Sequence, residues 1–362
     1  MKTVRTAVLF TLLALLYVTA ADAQGTDAKT QDKAAAGAVG PVKFSGLMFG
    51  DIYYYMDAMD EADKDMNGVQ FRRIYFTTDY AINATFSTRF RLEADQSAKA
   101  SNGKISVFVK DAFLKWKGVF AGSDLVLGMS PTPAFNVSED AWGYRALEKT
   151  IMDLNGIVSS RDLGIDLKGK VDESGMVRYW LKLGNNSGNT PETDKYKRYY
   201  GMLQFKPTDA FQFTLYADYA SNPQVSDSVS GTMKDNGALV TAGFVNYQVE
   251  NSFSIGVEGF YKSHANNYYA TAGDELSAQA GFGISAFAWV ALSDEIRLVG
   301  RYDSYDPNSD GERGDDVRSL LIAALDYRVA SNVSFMPGVE MLSREGMDDS
   351  DVIPRVTFLW NF

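Results

Sequence analysis

The sequence contains no cysteine and a single histidine, His264. Without thiols there is no disulfide framework, no thiolate nucleophile and no cysteine-based metal site. One histidine, in Lys262-Ser263-His264-Ala265-Asn266, leaves no second imidazole for acid–base work, and no nucleophile motif accompanies it. The chain is therefore expected not to be an enzyme. A cationic excess is also missing. The 35 Lys and Arg face 46 Asp and Glu, a formal charge of −11, which argues against nucleic acid as a partner because a polyanion would be repelled. Past the first 23 residues no apolar run of about 18 residues occurs, so no transmembrane helix is expected.

What is present starts with a leader. Met1-Lys2 and Arg5 are basic, Ala7 to Ala20 is almost wholly apolar, and Ala21-Asp22-Ala23 is a small-x-small cleavage site. Residues 1–23 therefore read as a signal peptide and 24–41, rich in Ala, Gly, Lys and Asp, as a flexible linker. Residues 42–362 read as one domain. Its slightly negative mean hydropathy beside 22 Phe and 20 Tyr looks contradictory until the period is seen. Phe86, Thr88, Phe90, Leu92 and Ala94 alternate with Ser87, Arg89, Arg91, Glu93 and Asp95. Ile296, Leu298, Gly300 and Tyr302 follow the same rule, and the chain closes with Val352, Val356, Phe358, Trp360 and Phe362 on even positions. A period of two, repeated in about 16 segments, describes strands with one apolar and one polar face. Connections alternate in length. Short ones such as Gly118 to Ser123 and Glu250 to Asn251 lie between long ones such as Ser130 to Arg161 and Ser221 to Asp235. The expected fold is all-β: a transmembrane antiparallel β-barrel of about 16 strands, lipid outside and water inside, with both ends on the short-turn, periplasmic side. This places Arg355 and Asn361 in the lumen.

Several short stretches resemble bacterial outer-membrane porins, most of all the phosphate-selective porin O and P family. They are Phe71-Arg72-Arg73-Ile74-Tyr75, Lys110-Asp111-Ala112-Phe113-Leu114, Leu127-Gly128-Met129, Arg161-Asp162-Leu163-Gly164-Ile165, Tyr302 to Asn308 and the terminal Phe362. The resemblance implies an outer-membrane location among lipid and lipopolysaccharide, a homotrimer, and passive diffusion of small hydrophilic solutes. It also implies that the long loop after the fifth strand, Ser130 to Arg161, folds inward and narrows the pore. The alternative places for this loop are the outer rim or a neighbouring subunit. Its weak helical pattern covers Tyr144 to Leu154, and its charges include Glu139, Asp140, Arg145, Lys149 and Arg161. The sequence departs from the family at Gly128-Met129-Ser130-Pro131-Thr132-Pro133, which lacks the lysine common there.

The alternation and the resemblance together give as pore-lining candidates Arg72, Arg89, Arg91, Glu93, Asp111, Lys115, Arg178, Lys182, Arg297 and Arg301. A slightly basic wall favours anions. The expected function is a diffusion channel for small polar or anionic solutes, with a weak anion preference that includes phosphate. The alternative is a substrate-specific channel or surface-binding barrel for a sugar, peptide or organic acid, with Tyr199, Tyr200, Tyr216, Phe260 and Trp289 as a track. No cofactor is expected. Asp306-x-Asn308-x-Asp310-Gly311 matches the first half of a calcium loop, as does Asp63-x-Asp65-x-Asn67-Gly68, but Val317 and Ile74 stand where a bidentate Glu belongs. Gly281-Phe282-Gly283 lies within an alternating segment and is not a dinucleotide motif. The small residues Ala278, Ala280, Gly281, Gly283, Ala286 and Ala288 form a candidate subunit contact.

Overall fold

The computed structural model describes residues 40–99, 103–269, 274–309 and 316–362; the expected leader, nearly all of the linker, and Asp310 lie outside these ranges. The described chain forms β1 (Lys43–Tyr54), β2 (Asn67–Ala81), β3 (Phe86–Lys99), β4 (Ile105–Phe120), β5 (Ser123–Pro131), β6 (Arg161–Lys170), β7 (Val177–Gly184), β8 (Arg198–Phe205) and β9 (Phe211–Ala220). A small hairpin of β10 (Val225–Ser226) and β11 (Met233–Lys234) follows. Then come β12 (Ala238–Val249), β13 (Phe253–Tyr269), β14 (Leu276–Ala291), β15 (Ile296–Asp306), β16 (Arg318–Ala330), β17 (Val333–Arg344) and β18 (Asp351–Asn361). All but β10 and β11 join one closed barrel of 16 antiparallel strands. Each strand pairs with its neighbours in sequence, so the barrel is up-and-down, as the alternating connections require.

The seam lies between β1 and β18, where Asp51 stands opposite Thr357. There the Thr357 hydroxyl donates to the Asp51 carboxylate at 2.6 Å, across 306 residues of chain. The even positions of β18 face outward and its odd positions Ile353, Arg355 and Thr357 are buried inside. Phe358 and Trp360 stack on the outside with Phe71 of β2 against them, ring centroids 5.7–5.9 Å apart. The outward faces elsewhere carry exposed Leu298, Tyr302, Leu321 and Leu325, the side chains that a lipid-facing belt needs.

Among the register shifts of the described strands, the bulges on β2 and β4 move charged side chains. On β2, Arg73 pairs with Phe49 and Phe71 with Gly50, which leaves Arg72 as an extra residue. On β4, Asp111 pairs with Arg91 and Val109 with Leu92, which leaves Lys110 extra. Each bulge turns two consecutive charged side chains into the lumen, Arg72 with Arg73 and Lys110 with Asp111. Gly128 of β5 also needs its special geometry: its φ is 128°, and a Cβ would collide with the Ala112 carbonyl oxygen of β4.

The long loop, residues 132–160, carries two short helices, α1 (Asn136–Trp142) and α2 (Ile151–Leu154). Of the expected helical span Tyr144 to Leu154 only Ile151–Leu154 is helical, and the longer helix, α1, lies before that span. It stops at Gly143, whose φ of 68° and N–H bond to the Glu139 carbonyl form a left-handed cap. The candidate subunit face is also corrected. Ala278, Ala286 and Ala288 face outward, but Gly281 and Gly283 are buried on the inner face, and a Cβ on Gly283 would meet the Phe260 ring.

Candidate functional site: a loop-lined lane through the barrel

The inner wall is not polar all round. Phe49, Phe244, Phe287, Trp289, Val299, Leu320, Ile322 and Met336 face inward and form one apolar cluster with Trp142, Tyr144, Ala146 and Leu147 of the loop. Trp180, Tyr200, Met202, Tyr216, Val240, Phe260 and Tyr305 form a second with Phe135, Ile151, Met152, Ile157 and Val158 of the loop. Trp142, Leu147, Ile151 and Met152 are at most 1% exposed. Burial of such side chains stabilises by roughly 1.5–3 kcal/mol each, so the apolar wall holds the loop inside the barrel.

Polar anchors fix its register. Arg72 from β2 donates to the carbonyls of Ala146 and Leu147, Arg355 from β18 to Leu147, and Arg301 from β15 to Lys149. Each arginine is neutralised by a wall carboxylate: Arg72 by Asp51 at 2.7 Å, Arg355 by Glu340 at 2.5 Å, and Arg301 by Asp303. Glu148 lies 3.3 Å from Arg72, Tyr144 donates to Asp326 at 3.2 Å, and Ser138 donates to Glu258 at 2.7 Å. The loop therefore touches β2, β13, β15, β16 and β18 directly.

The opposite face of the loop is charged and half-buried. Arg145 bridges Glu139 at 3.0 Å and Asp153 at 3.1 Å, and these three side chains are 20%, 32% and 13% exposed. They look at the wall built by β2 to β6. There Glu93 joins Arg73 and Lys110, each at 2.8 Å, and Arg73 also pairs with Asp95. Asp111 joins Arg91 at 3.4 Å and Arg161 at 2.5 Å, and the Arg91 guanidinium lies 5.5 Å from the Tyr75 ring centre. Across the gap Arg145 is within electrostatic reach of Tyr75, Glu139 of Arg161, and Asp153 of Lys110. The lane is thus bounded by charge on both sides, with the charges paired along each side.

Toward the short turns the lane widens. A cavity of 860 Å³ is lined by Asp140, Trp142, Tyr144, Trp289, Arg297 and Asp326 among others. A second, of 580 Å³, shares Asp140 with it and is lined by Lys115, Lys168, Lys170 and Arg178. A third, of 410 Å³, adds Arg89 and shares Lys115 and Lys168. The three spaces are neighbours through these shared side chains and are together termed the chamber.

The expected pore-lining residues separate into three groups. Arg91, Glu93 and Asp111 are at the lane, with Glu139, Arg145 and Arg161 from the loop and its exit. Lys115, Arg89, Arg178 and Arg297 border the chamber; Lys115 pairs with Asp124 at 2.6 Å, Arg89 with Asp79 at 2.7 Å, and Arg297 lies 4.0 Å over Trp289. Asp140 lines the chamber too. Arg72, Arg301 and the Lys149 backbone belong to the clamp behind the loop and do not line the passage. Lys182 does not line it either. Its side chain is fully buried, 2.6 Å from the Ser130 hydroxyl and 3.2 Å from Asp166, where it ties β5, β6 and β7 together at the root of the loop. Arg73 and Lys110 escaped the alternation because a bulge moves them. The signal was there in the charged doublets Arg72-Arg73 and Lys110-Asp111, which a strict alternation would force onto lipid.

His264 lies within β13, opposite Gln279 of β14. Of the suggested aromatic track, Tyr199 faces outward, while Tyr200, Tyr216 and Phe260 are buried against the loop. In the calcium-like strings, Asp306 accepts from the Asn308 backbone N–H at 2.9 Å and Asp65 accepts from the Tyr54 hydroxyl. Among the described residues no group of three or more acidic or imidazole side chains is placed to hold a metal.

No family model matches the chain, and no curated protein matches it in sequence. Solved structures do match. OmpF of Salmonella typhi is 14% identical, with a TM-score of 0.62, over 89% of this chain and 97% of that one. An anion-selective porin from Comamonas acidovorans is 11% identical, with a TM-score of 0.62, over 89% and 99%. OmpT of Vibrio cholerae, an outer membrane protein solved in a trimer form, is 14% identical, with a TM-score of 0.59, over 90% and 100%. At these identities the likeness establishes the fold, a 16-stranded barrel of the kind that outer-membrane porins have.

Proposed function

We propose that the chain is an outer-membrane diffusion channel for small polar solutes. The observation that carries this reading is the two-faced loop. One face is buried in the apolar wall, and the other turns the partly exposed Glu139, Arg145 and Asp153 toward the charged wall of β2 to β6, where we place the solute's lane. The outward apolar belt and the expected leader support an outer-membrane location among lipid and lipopolysaccharide. A homotrimer is supported by the trimer form of OmpT.

Selectivity is proposed to be a weak anion preference without a phosphate-specific site. At the lane every wall cation already has a carboxylate partner, which leaves little net field for a polyvalent anion. The tilt toward anions comes from Lys168, Lys170 and Arg178 in the chamber. A sugar track is disfavoured, because the Trp180 and Trp289 faces are capped by Lys168 and Arg297, each 4.0 Å away.

Planar-bilayer recording of purified protein tests the reading. The expected result is a stable ohmic conductance, a reversal potential modestly on the chloride side in a salt gradient, and no saturable block by phosphate. Insertion without conductance refutes the channel. Cation selectivity or block by phosphate refutes the selectivity.

A further inference from the structure

The lane holds five cations against five carboxylates: Arg73, Arg91, Lys110, Arg161 and Arg145 against Glu93, Asp95, Asp111, Glu139 and Asp153. The balance is unevenly built. On the wall two of the three carboxylates lie behind the cations. Glu93 and Asp111 are only 1% exposed, and each is held between two cations. On the loop the order is reversed. Glu139 is 32% exposed, more than any wall carboxylate, and one guanidinium, Arg145, lies between it and Asp153.

We propose that Arg145 is the selectivity-determining residue of the lane: it masks the loop carboxylates, and a channel without it selects cations. This inference rests on the channel reading. Arg145 is well placed for the role because it is fixed. Its two partners sit on different helices, Glu139 on α1 and Asp153 on α2, so the guanidinium is held from both sides. Neutralising Arg91, Lys110 or Arg161, by contrast, uncovers a carboxylate that is buried and still paired to a second cation.

The size of the effect follows from Coulomb's law. A unit charge about 5 Å from the ion path in a water-like dielectric changes the local concentration of each ion about fourfold, in opposite senses for the two signs. With screening over a Debye length of about 10 Å at 0.1 M salt, the cation-to-anion permeability ratio shifts by about three- to tenfold.

The test is the reversal potential of the intact purified channel in a potassium chloride gradient. Arg145→Gln is expected to shift the ratio about three- to tenfold toward potassium. Arg145→Lys is expected to stay near the unsubstituted value, and Glu139→Gln with Asp153→Asn to shift toward chloride. The triple neutral variant, one unit charge less negative than the unsubstituted cluster, is expected about three- to tenfold on the chloride side of the start, short of the carboxylate pair variant. A purely structural role for Arg145 predicts altered conductance or noise with an unchanged reversal potential, and that result overturns the proposal. Should Arg145→Gln fail to fold, the carboxylate pair still decides, since absence of a chloride shift there is equally fatal. A protein that inserts and passes no current refutes the channel reading itself; a conducting channel whose reversal potential ignores all the variants refutes only the role of Arg145.

Discussion

Trp142→Ala is expected to loosen the loop without unfolding the barrel. Trp142 is fully buried, with its ring centroid 5.2 Å from Phe287 and 5.5 Å from Tyr144. Its indole N–H donates to the Glu148 carbonyl at 2.9 Å, and the Arg301 guanidinium lies 5.3 Å from its ring centre. Truncating a buried tryptophan to alanine costs about 3–5 kcal/mol, and orphaning the carbonyl adds about 1–3 kcal/mol where water cannot replace the donor. Water in the widened chamber reaches Glu148 once the ring is gone, so the lower figure, about 3–5 kcal/mol in all, is the better guide. That amount raises the population of unseated loop by roughly two to three and a half orders of magnitude, at about 1.4 kcal/mol per tenfold. The wall keeps its own ladder of backbone hydrogen bonds, so the heat-induced gel shift of the folded barrel should move little. Single-channel recording should show a larger mean conductance and frequent flicker, and protease should cut the loop. A variant with the quiet conductance and the protection of the unsubstituted protein would refute the idea that this side chain seats the loop.

Lys182→Met should behave in the opposite way. It leaves Asp166 buried beside Ser130 and Trp180 without its cation, at a cost of about 3–5 kcal/mol. Thermal unfolding in detergent should fall while the reversal potential stays put; a changed reversal potential would return Lys182 to the passage. Gly128→Ala must place a methyl group against the β4 backbone at a φ of 128°, so the folded fraction on refolding into detergent should drop severalfold. Normal refolding would show that β4 and β5 can separate there at little cost. In the turn between β6 and β7, hydrogen bonds from the Ser174 hydroxyl and then from the Val177 and Met176 N–H groups hold the Asp172 carboxyl down at about 2. A depressed carboxyl contributes stability above its unfolded value, about 3.9, and loses it as pH falls through about 2. Asp172→Asn should therefore destabilise equally from pH 7 to about 4 and progressively less below; a penalty that grows on acidification would contradict this.

The barrel was legible because lipid imposes a period of two that no other requirement disturbs on the outer face. Val352 to Phe362 and Phe86 to Asp95 show it without help from partners. The inner face was less legible, because two physical facts are invisible in a single strand. A bulge shifts the period by one, which hid Arg73 and Lys110. A loop from elsewhere can cover part of the lumen, so inward Phe287, Leu320 and Ile322 satisfy the alternation and yet face protein. Pairing was equally out of reach: Glu93 is 17 residues from Lys110 in sequence and meets it only because the register of β3 and β4 brings them side by side. The charged loop residues were found, but which of them face the lane depends on the seating of α1 and α2, whose start at Asn136 the weak periodicity did not reveal.

The seam between β1 and β18 carries a kinetic consequence. Most strands meet a neighbour that is next in sequence, so their pairing closes short loops and forms early. The Thr357–Asp51 bond spans 306 residues, and its loop-closure entropy is the largest in the wall. Until it forms, β1 and β18 are both unpaired edges with one apolar face, able to take up a foreign strand as readily as each other. Assembly should therefore be limited by this single encounter. Substitutions at Thr357, which leave the Asp51–Arg72 pair in place, should slow closure and favour aggregation more than they lower the stability of a barrel already closed.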